Sequence, residues 1–171
     1  MPRPVTAEDS LITKKHEGLQ RSKTFETGLV LAHIGGKSDA LLHFAPTPEE
    51  EGGFTFKKGA VDAEWMVQHA ELVARMLPAG IAVVGCYAFA ANAKLSKMES
   101  SLQPVLNFLA KRINGIGPES RQAVLLMLPS DAKKVSCRVL DAGSSRPSPV
   151  ELKLVHAPPQ VRSRAQSMIA R

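Results

Sequence analysis

Cysteine is scarce in this chain. Two in 171 residues are too few for a disulfide framework or for a structural zinc site built on thiolates, which favours a reducing compartment. Aromatic residues are thin as well, with one tryptophan and one tyrosine, so the chain offers few platforms for stacking bases. The longest apolar stretch, Gly80 to Ala91 (GIAVVGCYAFAA), falls well short of the ~20 residues that a membrane helix needs. The N-terminus, MPRPVTAEDSL, has no apolar run behind its first basic residue and does not read as a secretory signal. On these grounds the chain reads as soluble, with the cytosol as the default.

What is present fits one globular domain. Hydrophobic residues at 44% and charged residues at 22% are ordinary for a packed chain of this length. A net charge of +6 invites a nucleic-acid reading, so its placement decides more than its sum. Residues 1–24 hold five basic and three acidic groups, residues 25–157 fourteen and thirteen, and residues 158–171 three arginines and no acid. The excess therefore lies mostly in the ends, and the apolar middle is nearly neutral. No basic groove is visible and no nucleic-acid partner is expected. A basic nucleic-acid-binding domain stays as an alternative, with binding that falls steeply with salt and survives loss of both tails.

Hydrophobic patterning divides the chain into elements. Phe25–Ile34 and Ala40–Ala45 flank the turn formers Gly35 to Asp39 and predict a β-hairpin. Pro46–Gly59, with its triple glutamate, predicts an exposed polar loop. From Asp62, a period near 3.6 places Trp65, His69, Leu72, Val73, Met76 and Leu77 on one side of an amphipathic helix that Pro78 and Gly80 stop. Gly80–Ala90 predicts a strand buried on both faces. Leu95, Met98, Leu102, Val105, Leu106, Leu109 and Ile113 predict a second helix, with Pro104 threatening a kink. Gln122–Leu128 predicts a buried strand, Val135–Leu140 a half-exposed one, and Val150–Val155 a last strand alongside. The order β-β-α-β-α-β-β-β implies an α/β sandwich with a mixed sheet.

Most local motifs are better explained by packing. Gly36-Lys37-Ser38 imitates the end of a phosphate-binding loop, but Leu31 stands where the first glycine belongs and no helix follows, so a hairpin turn accounts for it. Cys86, with His69 or His156 as base, would make a thiol hydrolase, yet it sits in the most apolar segment. Packing is the simpler role for both Cys86 and Cys137. His33 and His43 in the two hairpin arms supply two imidazoles, short of the three or four ligands of a zinc site.

Val83–Ser101 (VVGCYAFAANAKLSKMESS) resembles the signature of the JAMM metalloproteases, zinc isopeptidases of the MPN fold, through the Gly-x-Tyr step Gly85-Cys86-Tyr87. In those enzymes two histidines follow the tyrosine, a serine and an aspartate lie on the next helix, and a glutamate on the first strand takes the proton of the zinc-bound water. The corresponding positions are Ala88, Ala90, Met98, Ser101 and Phe25. Glu26 is adjacent to the last, but a one-residue shift along a strand turns a side chain to the other face. The resemblance thus implies an MPN-like pseudoenzyme without catalytic residues, metal or cofactor.

A longer resemblance runs through VDAEWMVQHAELVARMLPAGIAVVG, Val61 to Gly85. Asp62, Glu64, Trp65, His69, Ala70, Arg75, Met76, Leu77, Pro78 and Gly80 match the pattern of the odorant-response-abnormal protein 4 family, with Ala79 where a second glycine is usual. Lys23–Ala32, Lys133–Asp141 and Ser144–Pro147 add to it. The resemblance implies an α/β MPN-like sandwich, a mixed sheet flanked by two main helices, over residues 23–156. Residues 1–22 are expected to be a partly ordered segment and residues 157–171 a flexible basic tail.

It also implies a non-catalytic adaptor for the ubiquitin-fold-modifier-specific cysteine protease. In longer members that adaptor recruits the protease to the cytoplasmic side of the endoplasmic reticulum and supports folding or trafficking of membrane receptors. Those members end in a membrane anchor, so the present chain is expected to be an excised domain or a short form. The protease carries an MPN-like region of its own, which suggests a heterodimer, and Trp65, Met66 and Met76 are the expected contact or the core beneath it.

Overall fold

The computed structural model describes residues 3–34, 36–48, 61–113 and 122–156. The expected polar loop, from residue 49 onward, and the expected basic tail from residue 157 lie outside them.

The predicted hairpin forms as β2 (Glu26–His33) and β3 (Asp39–Pro46), paired antiparallel. Helix α2 (Ala63–Met76) begins where Asp62 accepts a hydrogen bond of 2.9 Å from the Trp65 N–H, the interaction expected of an N-cap aspartate. Strand β4 (Ile81–Ala90) is buried along nearly its whole length, as its unbroken apolar run requires. Helix α3 (Asn92–Phe108) carries Pro104 without ending and passes into a π-helical turn, Leu109–Ile113. Its predicted apolar positions from Leu95 to Leu109 are all buried. Then come β5 (Gln122–Pro129) and β6 (Ser136–Asp141).

Residues 5–22, within the segment expected to be partly ordered, contribute two elements. Val5–Glu8 form β1 and Asp9–Ser22 form helix α1. β1 runs between β3 and a later strand, parallel to both, with Val5 fully buried. The helix ends at Lys23, which takes the left-handed conformation (φ 52°) and donates its N–H to the Leu19 carbonyl at 2.9 Å.

The expected last strand divides in two. Ser148–Val150 (β7) pairs antiparallel with β6, and Leu152–Val155 (β8) pairs parallel with β1. The sheet order is β7-β6-β5-β4-β2-β3-β1-β8. Its two ends are thus consecutive in the chain, with only Glu151 between them, and the sheet is nearly closed. Curvature brings Asp39 of β3 and Gln122 of β5 together, although two strands separate them in the sheet. The Gln122 amide donates to Asp39 Oδ2 at 2.9 Å, and the Arg3 guanidinium meets Asp39 Oδ1 at 3.1 Å. Those buried polar groups satisfy one another as burial demands.

Two apolar clusters divide at the sheet. One, with Met66, Ala70, Leu102 and Leu106, lies between the sheet and α2 and α3. The other, with Ile12, Leu19, Tyr87 and Phe89, lies between the sheet and α1. Among the described residues the result is a mixed α/β fold of eight strands and three α-helices, one helix more than the two main helices expected.

Candidate functional site

A bulge at Gly85 decides what each face of β4 presents. Val30 opposite Gly85 is followed by Leu31 opposite Val83, so one residue of β4 is extra. Before it, Val83 faces α2 and α3 while Val84 faces α1; after it, Cys86, Ala88 and Ala90 face α2 and α3 while Tyr87 and Phe89 face α1. Such an extra residue shifts the alternation by one.

The positions matched to the metalloprotease pattern lie accordingly. Ala88, Ala90 and Met98 are buried in the cluster beneath α2 and α3, and Phe25 packs against it. Ser101 is exposed on α3. Four of the five positions therefore share one apolar environment, filled by side chains that supply neither the imidazoles nor the carboxylates of the zinc pattern. Among the described residues no group of three or more His, Cys, Asp or Glu side chains is gathered to hold a metal ion. His33 and His43 are both exposed.

Glu26 is on the opposite face, as the period of two requires. Its carboxylate accepts from the Tyr87 hydroxyl and from the Lys15 ammonium. Lys15 also lies 5.1 Å from the centre of the Tyr87 ring, and Phe44 meets that ring edge-on. Burial, with the Glu26 hydrogen bond and charge adding to it, raises the Tyr87 pKa, so the phenol stays protonated and serves as a donor. Gly28 makes room for the ring: a Cβ there would stand 2.7 Å from Tyr87 Cε1. This arrangement fixes α1 to the sheet, and it was not foreseen because nothing in the sequence marks Lys15 as a partner of Glu26.

The thiols are buried and free. Burial pushes both Cys86 and Cys137 up to about 12, leaving roughly one thiolate in 10^4 to 10^5 at neutral pH. Neither proposed base is placed to help. His69 Nδ1 is 3.1 Å from the Thr47 hydroxyl, and His156 is exposed with its Nδ1 3.7 Å from Asp9. Iodoacetamide at pH 7.4 should therefore label both cysteines fully in denaturant and less than about 5% in an hour in the folded chain, as read by intact mass. Rapid native labelling of Cys86 would restore the thiol-hydrolase reading.

Helix α2 is the element whose surface differs most from the expectation. Its core stripe is Met66, Ala70, Val73 and Leu77, joined by Ala63, Val67 and Ala74. Met66 is 1% exposed, so of the three expected contact residues it belongs to the core alone. Trp65, His69, Leu72 and Met76 form a second stripe about a third of a turn away. Trp65 is half-buried and donates its indole N–H to the Pro48 carbonyl at 2.8 Å. Partial burial lowers the His69 pKa. Leu72 and Met76 remain 55% and 75% exposed. The apolar side read from the sequence had merged these two stripes. Their 4-3-4 spacing is that of the apolar seam by which one helix packs along another.

The family described as Odorant response abnormal 4-like matches residues 28–168 of this chain. Over 151 residues the chain is 28% identical to "Protein odr-4 homolog" of Xenopus tropicalis, covering 79% of this chain and 33% of that one. Against the Homo sapiens homolog the figures are 26% over 144 residues, 75% and 32%. The chain thus spans about a third of the length of these curated relatives. A solution structure of a Desulfitobacterium hafniense protein overlays with a TM-score of 0.49 at 11% identity, covering 91% of this chain and 96% of that one.

Proposed function

Because the chain belongs to the Odorant response abnormal 4-like family, we propose that it is a non-catalytic, MPN-like adaptor domain that binds the ubiquitin-fold-modifier-specific cysteine protease through the outer stripe of α2. The exposure of Leu72 and Met76 beside half-buried Trp65 carries this reading. Large apolar side chains at helical spacing are normally buried, and here another stripe, with Met66 and Ala70 buried and Val73 and Leu77 partly so, already packs against the core. A second stripe adds nothing to the core, so its use lies outside the domain.

The apolar side chains at Phe25, Ala88, Ala90 and Met98 support the non-catalytic half of the proposal, since neither alkyl nor phenyl groups move protons. In the proposed complex the protease supplies the chemistry and this domain supplies a docking helix. The pairing is a heterodimer of two MPN-like regions packed helix to helix, without metal, cofactor or nucleic acid.

No helix among the described residues is long and apolar enough to cross a membrane. The proposal assigns membrane attachment, at the cytoplasmic face of the endoplasmic reticulum, to the longer relatives. There the complex would support folding or trafficking of membrane receptors. Co-expression of the chain with the protease, followed by size exclusion with light scattering, should give a single species with the summed mass of one copy of each. Two separately eluting proteins at micromolar concentration would contradict the proposal.

A further inference from the structure

Strands β1 and β8 are joined to the sheet by a short seam. Among the described residues β8 pairs with β1 alone, and β1 meets β3 only where Val5, Thr6 and Ala7 stand opposite Asp39, Ala40 and Leu41. The chain bends at both ends of this pair. Glu8 caps α1 in an extended conformation without a side-chain bond to the helix, and Glu151 separates β8 from β7. Helix α1 itself is tied elsewhere: His16 Nε2 is 2.7 Å from the Pro129 carbonyl, Gln20 donates to the Ala132 carbonyl at 3.2 Å, and Lys15 meets Glu26. β8 buries little, with Leu154 and Val155 50% and 53% exposed. Short pairing and small apolar burial mark a unit that opens before a whole domain unfolds.

Arg3 fastens this seam from the residues just before β1. Its N–H donates to Gln122 Oε1 at 2.7 Å and its carbonyl accepts from Gln122 Nε2 at 3.2 Å, so the Gln122 amide meets the Arg3 main chain much as a neighbouring strand would. The Arg3 guanidinium donates to Asp39 Oδ1 at 3.1 Å and to the Gly36 carbonyl at 2.6 Å. The Asp39 N–H in turn donates to the Pro4 carbonyl at 2.9 Å. Asp39 is 2% exposed, and a carboxylate buried to that degree depends on its charged partner.

We infer that β1 and β8 form a lid, hinged at Glu8 and Glu151 and latched by Arg3, that opens as one unit while α1 and the other strands stay folded. Opening breaks the Arg3 bonds and the β1–β3 pairs. It bares the edge of β3 together with Leu41 and Phe44, which in the closed state share a cluster with Val5 and Ala7. The inference does not rest on the outer stripe of α2 and holds whether or not that stripe binds the protease.

Hydrogen exchange of the full chain, under conditions where it reports the opening equilibrium, tests this. The bonded amides of β1 and β8 should exchange together, about tenfold or more faster than those of β4 and β5 once intrinsic rates are corrected for. Arg3→Ala, at a side chain 18% exposed, should leave a folded domain whose lid amides exchange about tenfold or more faster than in the wild type. Val105→Ala thins the packing beneath α3, which the open lid retains. It should speed exchange in β4 and β5 and leave the lid within about twofold. Lid amides that keep pace with β4 and β5 in all three proteins, or that are unmoved by Arg3→Ala, would overturn the proposal.

Discussion

Replacing Gly85 by alanine is expected to leave no folded domain. A Cβ at this position would stand 1.8 Å from the Val124 carbonyl oxygen and 2.6 Å from its carbon. Those atoms are backbone in β5, the strand paired with Gly85, so no rotamer change relieves the clash. Either β4 and β5 separate at the centre of the sheet, or the bulge is expelled. Loss of the bulge would turn Tyr87 and Phe89 toward α2 and α3, and Cys86, Ala88 and Ala90 toward α1, reversing the packing on both faces. The cost should exceed about 4 kcal/mol, a large part of the roughly 5–15 kcal/mol that holds a domain together. Circular dichroism and the soluble yield of Gly85→Ala read the outcome. A variant that melts within a few degrees of the wild type would mean that the close approach of β4 to β5 is misdescribed.

The features that were legible in the sequence are those whose pattern is local. The hairpin follows from two apolar runs around a cluster of turn residues. β4 and β5 follow from unbroken apolar runs. α3 follows from its apolar positions recurring at steps of three and four, five of which, from Leu95 to Leu106, lie in the helix. That Phe25, Ala88, Ala90, Met98 and Ser101 differ from the metalloprotease pattern is a matter of residue identity alone. Glu26, one residue from the pattern, does face away from Ala88, as strand alternation requires.

What escaped depends on tertiary context. β1 is four residues long and α1 buries only Ile12, His16 and Leu19. Their periods are short, Val5 and Ala7 in the strand and Ile12, His16 and Leu19 at steps of four and three in the helix, and a histidine among the buried positions hides the helical stripe. Val150–Val155 alternates like one strand, yet Glu151 lies where the chain changes partners between β7 and β8. In α2 the six positions read as one apolar side include two from the core stripe, Val73 and Leu77, and four from the outer stripe. Composition marks a residue as apolar without saying which of two faces it covers. Glycine at position 85 read only as part of a motif, and the need for it appears once Val124 lies against it.

The second large effect concerns partner binding. Leu72→Glu combined with Met76→Lys should leave the domain folded, because both side chains are mostly exposed. The two new side chains are four residues apart in the favourable order, and the basic one lies at the helix C-terminus, so the helix itself should gain a few tenths of a kcal/mol. Binding to the protease should nonetheless fall by about 2–4 kcal/mol, roughly thirtyfold to a thousandfold, as expected when charges replace the apolar centre of an interface. Met66→Glu is the contrasting control. It places a carboxylate in a fully packed site beneath the helix and should unfold the domain instead of selectively weakening the complex.

The most direct measurement is therefore a calorimetric titration of the purified protease with the wild-type chain and with the folded Leu72→Glu/Met76→Lys variant. The account predicts one-to-one binding by the wild type and no measurable heat from the variant. Equal affinities for the two chains, at equal melting temperatures, would contradict it.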